Sequence, residues 1–226
     1  MLTLTDNKLL RNQDRRHRKC GHAVQGDQMK FFRTLLMSLV LLPVVAFAHP
    51  AEDLVRQITT DVIDALNSPD AKADKSFVRA KVDTDVLPHI DFITMTKITL
   101  GGKQWKQASK NQRVELVDEF RRLLLNTYTA ALDQYSGQTL QILPHTPSDN
   151  DDKIAVIKTV FDDQGSKFAV HYKLRSSKTD RKTWKVYDIE VDSVSLAKSY
   201  KAEFGSQIKT AGVDGLIKTL RDKNSQ

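Results

Sequence analysis

The stretch LGGKQWKQASKNQRVELVDEFRRLLLNTYTAALDQY, residues 100–135, decides how the rest of the chain is read. Two glycines break the chain and a tryptophan follows. Ser109 with Gln112 then has the S-x-x-Q form of a capping box, whose side chains satisfy two backbone donors that a helix start otherwise leaves orphaned. From there Val117, Phe120, Leu124, Tyr128, Ala131 and Tyr135 recur at steps of three and four, while Arg113, Glu119, Arg122 and Asp133 fall off that stripe. Ser136-Gly137 is the stop. A helix over 110–136 would be roughly 40 Å long at 1.5 Å per residue, enough to run the length of a small domain and serve as its spine.

Upstream, Leu54, Val55, Ile58, Val62 and Leu66 keep helical spacing over 51–66, and Asn67-Ser68-Pro69 ends that helix. Asp74 caps a second helix carrying Phe77, Val78, Val82 and Val86, broken at Leu87-Pro88 because a proline disfavours helix at the residue before it. A third, short helix over 91–100 is capped by Asp91 and closed by Gly101-Gly102. Downstream of the spine the period becomes 2. Strands are expected over 138–143, 153–161, 167–175 and 183–191, with a hairpin turn signal at Asp162-Asp163-Gln164-Gly165. The third strand alternates most clearly, Phe168, Val170, Tyr172 and Leu174 against Ala169, His171 and Lys173. The fourth sets Trp184 and Val186 on one face and Tyr187, Ile189 and Val191 on the other. Leu196, Tyr200, Phe204 and Ile208 then step by four, Gly212 breaks the run, and Val213, Leu216, Ile217 and Leu220 make a terminal turn or two. Helices around a meander of strands make an α+β domain.

The net charge of +7 is uneven. Residues 1–48 hold eight Lys or Arg against three Asp or Glu, leaving 27 basic and 25 acidic of the 35 and 28 for the rest. The basic pI therefore belongs mostly to the leader, and nucleic-acid binding, which needs cations on the folded domain, loses its support. Residues 29–48 have the form of a secretory signal: the basic start Met29-Lys30-Phe31-Phe32-Arg33, an apolar core over 34–45, and Ala46-Phe47-Ala48 as a small-x-small cleavage site before His49. That core is too short to span a bilayer. Residues 1–28 read as a misassigned extension and 49–226 as one domain. Cys20 is the sole cysteine, so a mature chain from His49 has neither disulfides nor thiolate chemistry.

No pair among His49, His89, His145 and His171 has metal-ligand spacing, and Ser193-Val194-Ser195 lacks the glycines of a nucleophile elbow. No enzyme activity, metal or cofactor is expected. Asp91 and Ser195 read as helix caps. Asp188, an acid within a strand, needs a partner, for which Arg175 or Arg121 could serve. Trp105 reads as a side chain pinning its loop to the core. Lys106, Lys110 and Arg113, and again Lys178, Arg181 and Lys182, form basic clusters that suit a solvated face or transient docking.

LGxxW, SxxQR and FRRLLxxTY in the spine, LPHIDF over 87–92, and WKVYDIEVDSVSLAKSYKAEF over 184–204 together resemble the MlaC, or toluene-tolerance, family of periplasmic phospholipid carriers. The resemblance implies a curved four-stranded antiparallel sheet of the nuclear-transport-factor-like kind, with helices packed into a cone around an apolar cavity. It implies a monomeric carrier that holds phospholipid by its acyl chains and exchanges it between an outer-membrane lipoprotein and porin complex and an inner-membrane ABC transporter complex, maintaining outer-membrane lipid asymmetry. On that reading the lipid-contacting residues are Leu124, Tyr128, Ala131 and Leu132 of the spine, Ile157, Val170, Tyr172 and Val191 of the strands, and Val194. Where the family carries Glu-Gly before Val-Ser, this chain has Asp192-Ser193. The competing reading is a periplasmic protein-interaction module with a solid core.

Overall fold

The computed structural model describes residues 49–132, 135–146 and 152–225, the side chains of Lys72, Lys75, Ala130 and Ala131 excepted. The leader expected over 1–48 lies outside them.

Helix α1 (Pro50–Asn67) begins at His49, whose Nδ1 accepts from the Ala51 N–H at 3.1 Å, with Pro50 in the first turn where its missing N–H costs nothing. A short α2 (Pro69–Ala73), not expected from the periodicity, is capped by Ser68. α3 (Lys75–Lys81) is capped by Asp74 as expected, but it does not run on to Val86. Residues Val82–Val86 form a π-helical turn and Leu87–His89 a 3₁₀ turn ahead of Ile90. Asp91 then caps α4 (Phe92–Leu100), accepting from the Thr94 N–H at 2.9 Å. Gly101, at φ 82, turns the chain into α5 (Gly102–Gln107), a helix where a turn was expected. Trp105 packs from α5 onto the core with the Arg113 guanidinium 5.4 Å from its ring centre, the pinning role expected of it.

The spine is α6 (Lys110–Leu132). Its capping box is reciprocal: the Gln112 N–H donates to Ser109 Oγ at 3.1 Å and the Ser109 N–H to Gln112 Oε1 at 2.9 Å. Leu116, Phe120 and Leu124 are its buried apolar face. Glu119 departs from the expected pattern, being 5% exposed. Its carboxylate is held by Arg122, one turn on in the same helix, at 3.3 Å, and by Asn224 Nδ2 at 2.8 Å and Arg221 at 3.5 Å, which the chain's far end brings alongside.

Strands β1 (Thr139–Ile142), β2 (Ile154–Asp163), β3 (Ser166–Ser176), β4 (Trp184–Val191) and β5 (Val194–Ser195) form one antiparallel sheet in chain order. The four-stranded expectation is thus corrected by a two-residue fifth strand. Gln164 (φ 51) and Gly165 (φ 98) make the β2–β3 turn where the sequence signals it. β4 does not alternate as read. Leu174 pairs with Val186 but Lys173 with Asp188, so Tyr187 is an extra residue in a β-bulge. The bulge flips the parity, and Trp184, Val186, Ile189 and Val191 share the face that carries Val170, Tyr172 and Leu174 on β3.

Helix α7 (Leu196–Asn224) is broken at Gly212, whose φ of 69 and ψ of −174 admit glycine almost alone. Ser195 caps it as expected, accepting from the Lys198 N–H at 3.1 Å. Two cores result. One joins Met95, Leu100, Leu116, Phe120, Phe204 and Leu216 of α4, α6 and α7, with Phe120 edge-on to Phe204 at 5.4 Å. The other packs Ala51 and Val55 of α1 on Ala155, Ile157, Leu174, Trp184 and Val186 of the sheet. Asp188 finds its partners away from both expected arginines: Ser195 Oγ donates to it at 2.7 Å, the Ala197 N–H at 3.0 Å, and Lys173 Nζ lies at 3.6 Å.

Candidate functional site

Between the two cores the side chains do not close. A cavity of about 340 Å³ remains, bounded by α1, the π-helical turn, the start of α4, the C-terminal half of α6 and the inner face of the sheet. That volume is within the range of small-molecule sites. The walls are almost wholly hydrocarbon. α1 contributes Val55, Ile58, Val62, Ile63 and Leu66, and the π-helical turn Val82 and Val86. α6 contributes Leu124, Leu125, Tyr128 and Leu132, and the sheet Leu140, Phe161, Tyr172, Val186 and Ile189.

The cavity is closed at one end and open at the other. Val55, Met95 and Val186 are each 2% exposed, whereas Tyr128 is 45% exposed, with Leu132, Tyr135 and Phe161 half-buried near it. The phenol of Tyr128 is satisfied at this mouth by a hydrogen bond with Tyr200, and burial together with the Tyr200 hydroxyl pushes its pKa up to about 12. Tyr172 projects from the middle of β3, between Ile157 and Ile189 in register, where neither neighbour offers an acceptor. Burial alone pushes its pKa up to about 12. The arrangement can enclose apolar chains. No cluster of three metal-ligating side chains occurs among the described residues.

Of the residues expected to contact lipid, Leu124, Tyr128, Leu132 and Tyr172 lie on this wall. The Ala131 side chain is outside the described residues. Ile157 and Val170 share the inner face but are 0% and 8% exposed, absorbed into packing beneath the cavity floor, and do not line it. Val191 and Val194 are corrections of another kind. They pair across the β4–β5 hairpin, 45% and 61% exposed, because the turn at Asp192 (φ 47) and Ser193 (φ 69) carries the chain out into solvent before α7 begins. Val194 is not at the corner of a cavity wall. The walls that the sequence reading missed are α1 and the π-helical turn. The apolar stripe Ile58, Val62 and Leu66 was the available signal, but it says only that a face is covered, not that a void covers it.

Of the two basic clusters, Arg113 is engaged with Trp105 and with the Lys106 carbonyl at 2.9 Å. Lys178 and Arg181 rim an open depression on the outside of the sheet.

The family model described as MlaC protein matches residues 56–222. The chain is 24% identical over 197 residues to the intermembrane phospholipid transport system binding protein MlaC of Haemophilus influenzae, covering 85% of this chain and 91% of that one. It is 24% identical to toluene tolerance protein ttg2D of Pseudomonas putida over 83% of this chain and 86% of the relative. A solved phospholipid-binding protein of Ralstonia solanacearum, in complex with a phospholipid, superposes with a TM-score of 0.69 at 31% identity, over 78% of this chain and 97% of that one. With this fold, this cavity and a family match running from α1 to the last turns of α7, the chain belongs to the MlaC family.

Proposed function

We propose that the protein is a periplasmic carrier that holds a phospholipid by its acyl chains and shuttles it between an outer-membrane lipoprotein and porin complex and an inner-membrane ABC transporter complex. The observation that carries this reading is the closed-ended apolar cavity behind Tyr128. At about 0.8 kcal/mol per buried methylene, acyl chains do not cross water unshielded, and a dry apolar enclosure is what such transfer requires. The work asked of the protein is enclosure, with no bond made or broken, so we assign it no catalytic residue. We read the antiparallel sheet packed across α1 and α6 as a nuclear-transport-factor-like cone, and Leu124, Tyr128, Leu132 and Tyr172 as residues that touch the chains. Export by the segment over 29–48, with cleavage before His49, would deliver the domain to the periplasm.

Few polar groups converge on the cavity, so chains rather than headgroup should govern loading. Mass spectrometry of lipid extracted from the gently purified protein tests this. The expected result is stoichiometric phospholipid of mixed headgroups that follow the composition of the host membrane. Protein that carries no lipid and takes none up from vesicles would overturn the carrier reading in favour of a protein-interaction module.

A further inference from the structure

An outward-facing feature shares a wall with the cavity. A depression of about 510 Å³ lies outside the sheet, bounded among others by Thr94, Lys153, Ile154, Arg175, Lys178 and Arg181. Among the described residues no acid lines it, and Lys153, Lys178 and Arg181 have no carboxylate partner there. The nearby Asp180 is occupied within its own turn. It accepts from the Lys182 and Thr183 N–H groups at 2.9 and 3.0 Å and from Thr183 Oγ1 at 2.7 Å, bonds that hold its pKa down at about 2. Ile154, 46% exposed, adds an apolar surface among these cations.

Arg175 connects this depression to the cavity. Its guanidinium donates to Thr94 Oγ1 at 2.6 Å and stands 3.4 Å from Asp91 Oδ2, with the side chain 32% exposed and so within reach from outside. Asp91 is the cap of α4, and its own N–H donates to the Val186 carbonyl at 2.8 Å. The residues on either side of it, Ile90 and Phe92, line the cavity near its closed end. One arginine therefore faces the outside while holding the segment that walls the inside.

We propose that this depression docks an acidic segment of a protein partner, and that a carboxylate brought by the partner competes with Asp91 for Arg175 and loosens the wall over residues 90–92. The docking half stands without the carrier reading, and the release half rests on it. A concave site with cations around an exposed isoleucine suits projecting acidic and aliphatic side chains. A bilayer surface, flat on this scale, would meet only its rim. Release on docking is what a transient carrier needs, because cargo must stay enclosed until an acceptor is present.

The test uses the purified, isotopically labelled protein, with a short peptide of alternating Glu and Leu as the probe. A Gln–Leu peptide and phosphatidylglycerol vesicles are the comparison arms. The expected result is that the acidic peptide alone shifts the amide resonances of Lys153, Lys178 and Arg181 together with those of residues 90–92. Lys153→Glu with Lys178→Glu should weaken its binding about tenfold or more, as expected when repulsion replaces attraction at an interface. The peptide should also speed transfer of a fluorescent phospholipid to neutral vesicles, and Arg175→Gln should abolish that acceleration while the shifts at the rim persist. Thr94→Val, which removes the hydroxyl bonded to Arg175, should raise transfer without peptide and serves if Arg175→Gln does not fold. Shifts confined to another face, or perturbation of the rim by vesicles but not by peptide, would overturn the docking assignment. Acceleration that survives in Arg175→Gln would overturn the coupling. Protein that holds no phospholipid would instead remove the carrier reading, while the resonance shifts still decide the docking.

Discussion

Asp188 on β4 accepts a hydrogen bond from the backbone N–H of Ala197, in the first turn of α7, at 3.0 Å. The same carboxylate takes Ser195 Oγ at 2.7 Å and the Ile189 N–H at 3.0 Å, so a 4%-exposed acid joins the end of the sheet to the start of the last helix. Removing it leaves two buried donors unsatisfied and strips Lys173 of one of its two acidic neighbours. Asp188→Ala should therefore cost about 2–4 kcal/mol of stability. Asp188→Asn, which keeps an acceptor, should cost less. Urea unfolding measures both, and a change under about 0.5 kcal/mol for the alanine would contradict the bracing role.

Ser193 occupies the second position of a hairpin turn at φ 69, next to Asp192 at φ 47. Two central residues at positive φ are the mark of a type I′ turn, which favours Asn-Gly. The serine holds a conformation that costs roughly 1 kcal/mol relative to glycine. Ser193→Gly should stabilise the protein by about 0.5–1 kcal/mol, read as a higher melting temperature with lipid content unchanged.

Val194→Glu should fold normally and carry its usual lipid, because at 61% exposure the new carboxylate stands in water. Val62→Glu makes the contrast. Val62 is half-buried on the α1 wall, and a charge there faces the apolar cavity, where it costs several kcal/mol unless it protonates or turns outward. Copurified phospholipid should fall about tenfold or more in the second variant and not in the first. Equal lipid content in both would show that the cavity is not the site.

Tyr172 makes the fold sensitive to alkali. The unfolded chain ionises this phenol near 10 and the folded chain near 12, since burial disfavours phenolate. The native state thus binds the proton more tightly. Stability is level below pH 10 and falls as the pH rises from 10 to 12, by up to about 2–3 kcal/mol for this residue. Tyr128, half exposed, shifts in the same direction but contributes less. Tyr172→Phe should flatten the loss between pH 10 and 12 without lowering stability at pH 7. An unchanged alkaline profile would show that the phenol reaches water.

Local devices were legible in the chain because their partners lie within a few residues. The Ser109–Gln112 box, the Asp91 and Ser195 caps and the turn at Gln164-Gly165 all stand where the sequence puts them. Burial of Glu119 was not legible, since its Asn224 and Arg221 partners come from a helix about a hundred positions on. The candidate site was half legible for a related reason. Periodicity marks Leu124 and Tyr172 as facing inward, yet it cannot distinguish a side chain that meets a void from one, like Ile157, that meets other side chains. Val194 shows the opposite limit, because an apolar residue between a strand and a helix reads as covered although the hairpin turn exposes it.

The extra residue at Tyr187 gives β4 a counting rule. Upstream of it even positions lie on the inner face of the sheet, Trp184 and Val186, and downstream odd ones do, Ile189 and Val191, with Val186 and Ile189 reaching the cavity. Losing Tyr187 alone would restore plain alternation and keep Val186 and Ile189 inward with Asp188 and Glu190 outward, because the ladder on either side already pairs as if that residue were absent. The bulge is therefore the one place in β4 where a single residue can be lost with the inner face kept, whereas one residue lost from the regular run beyond it turns the rest of the strand over.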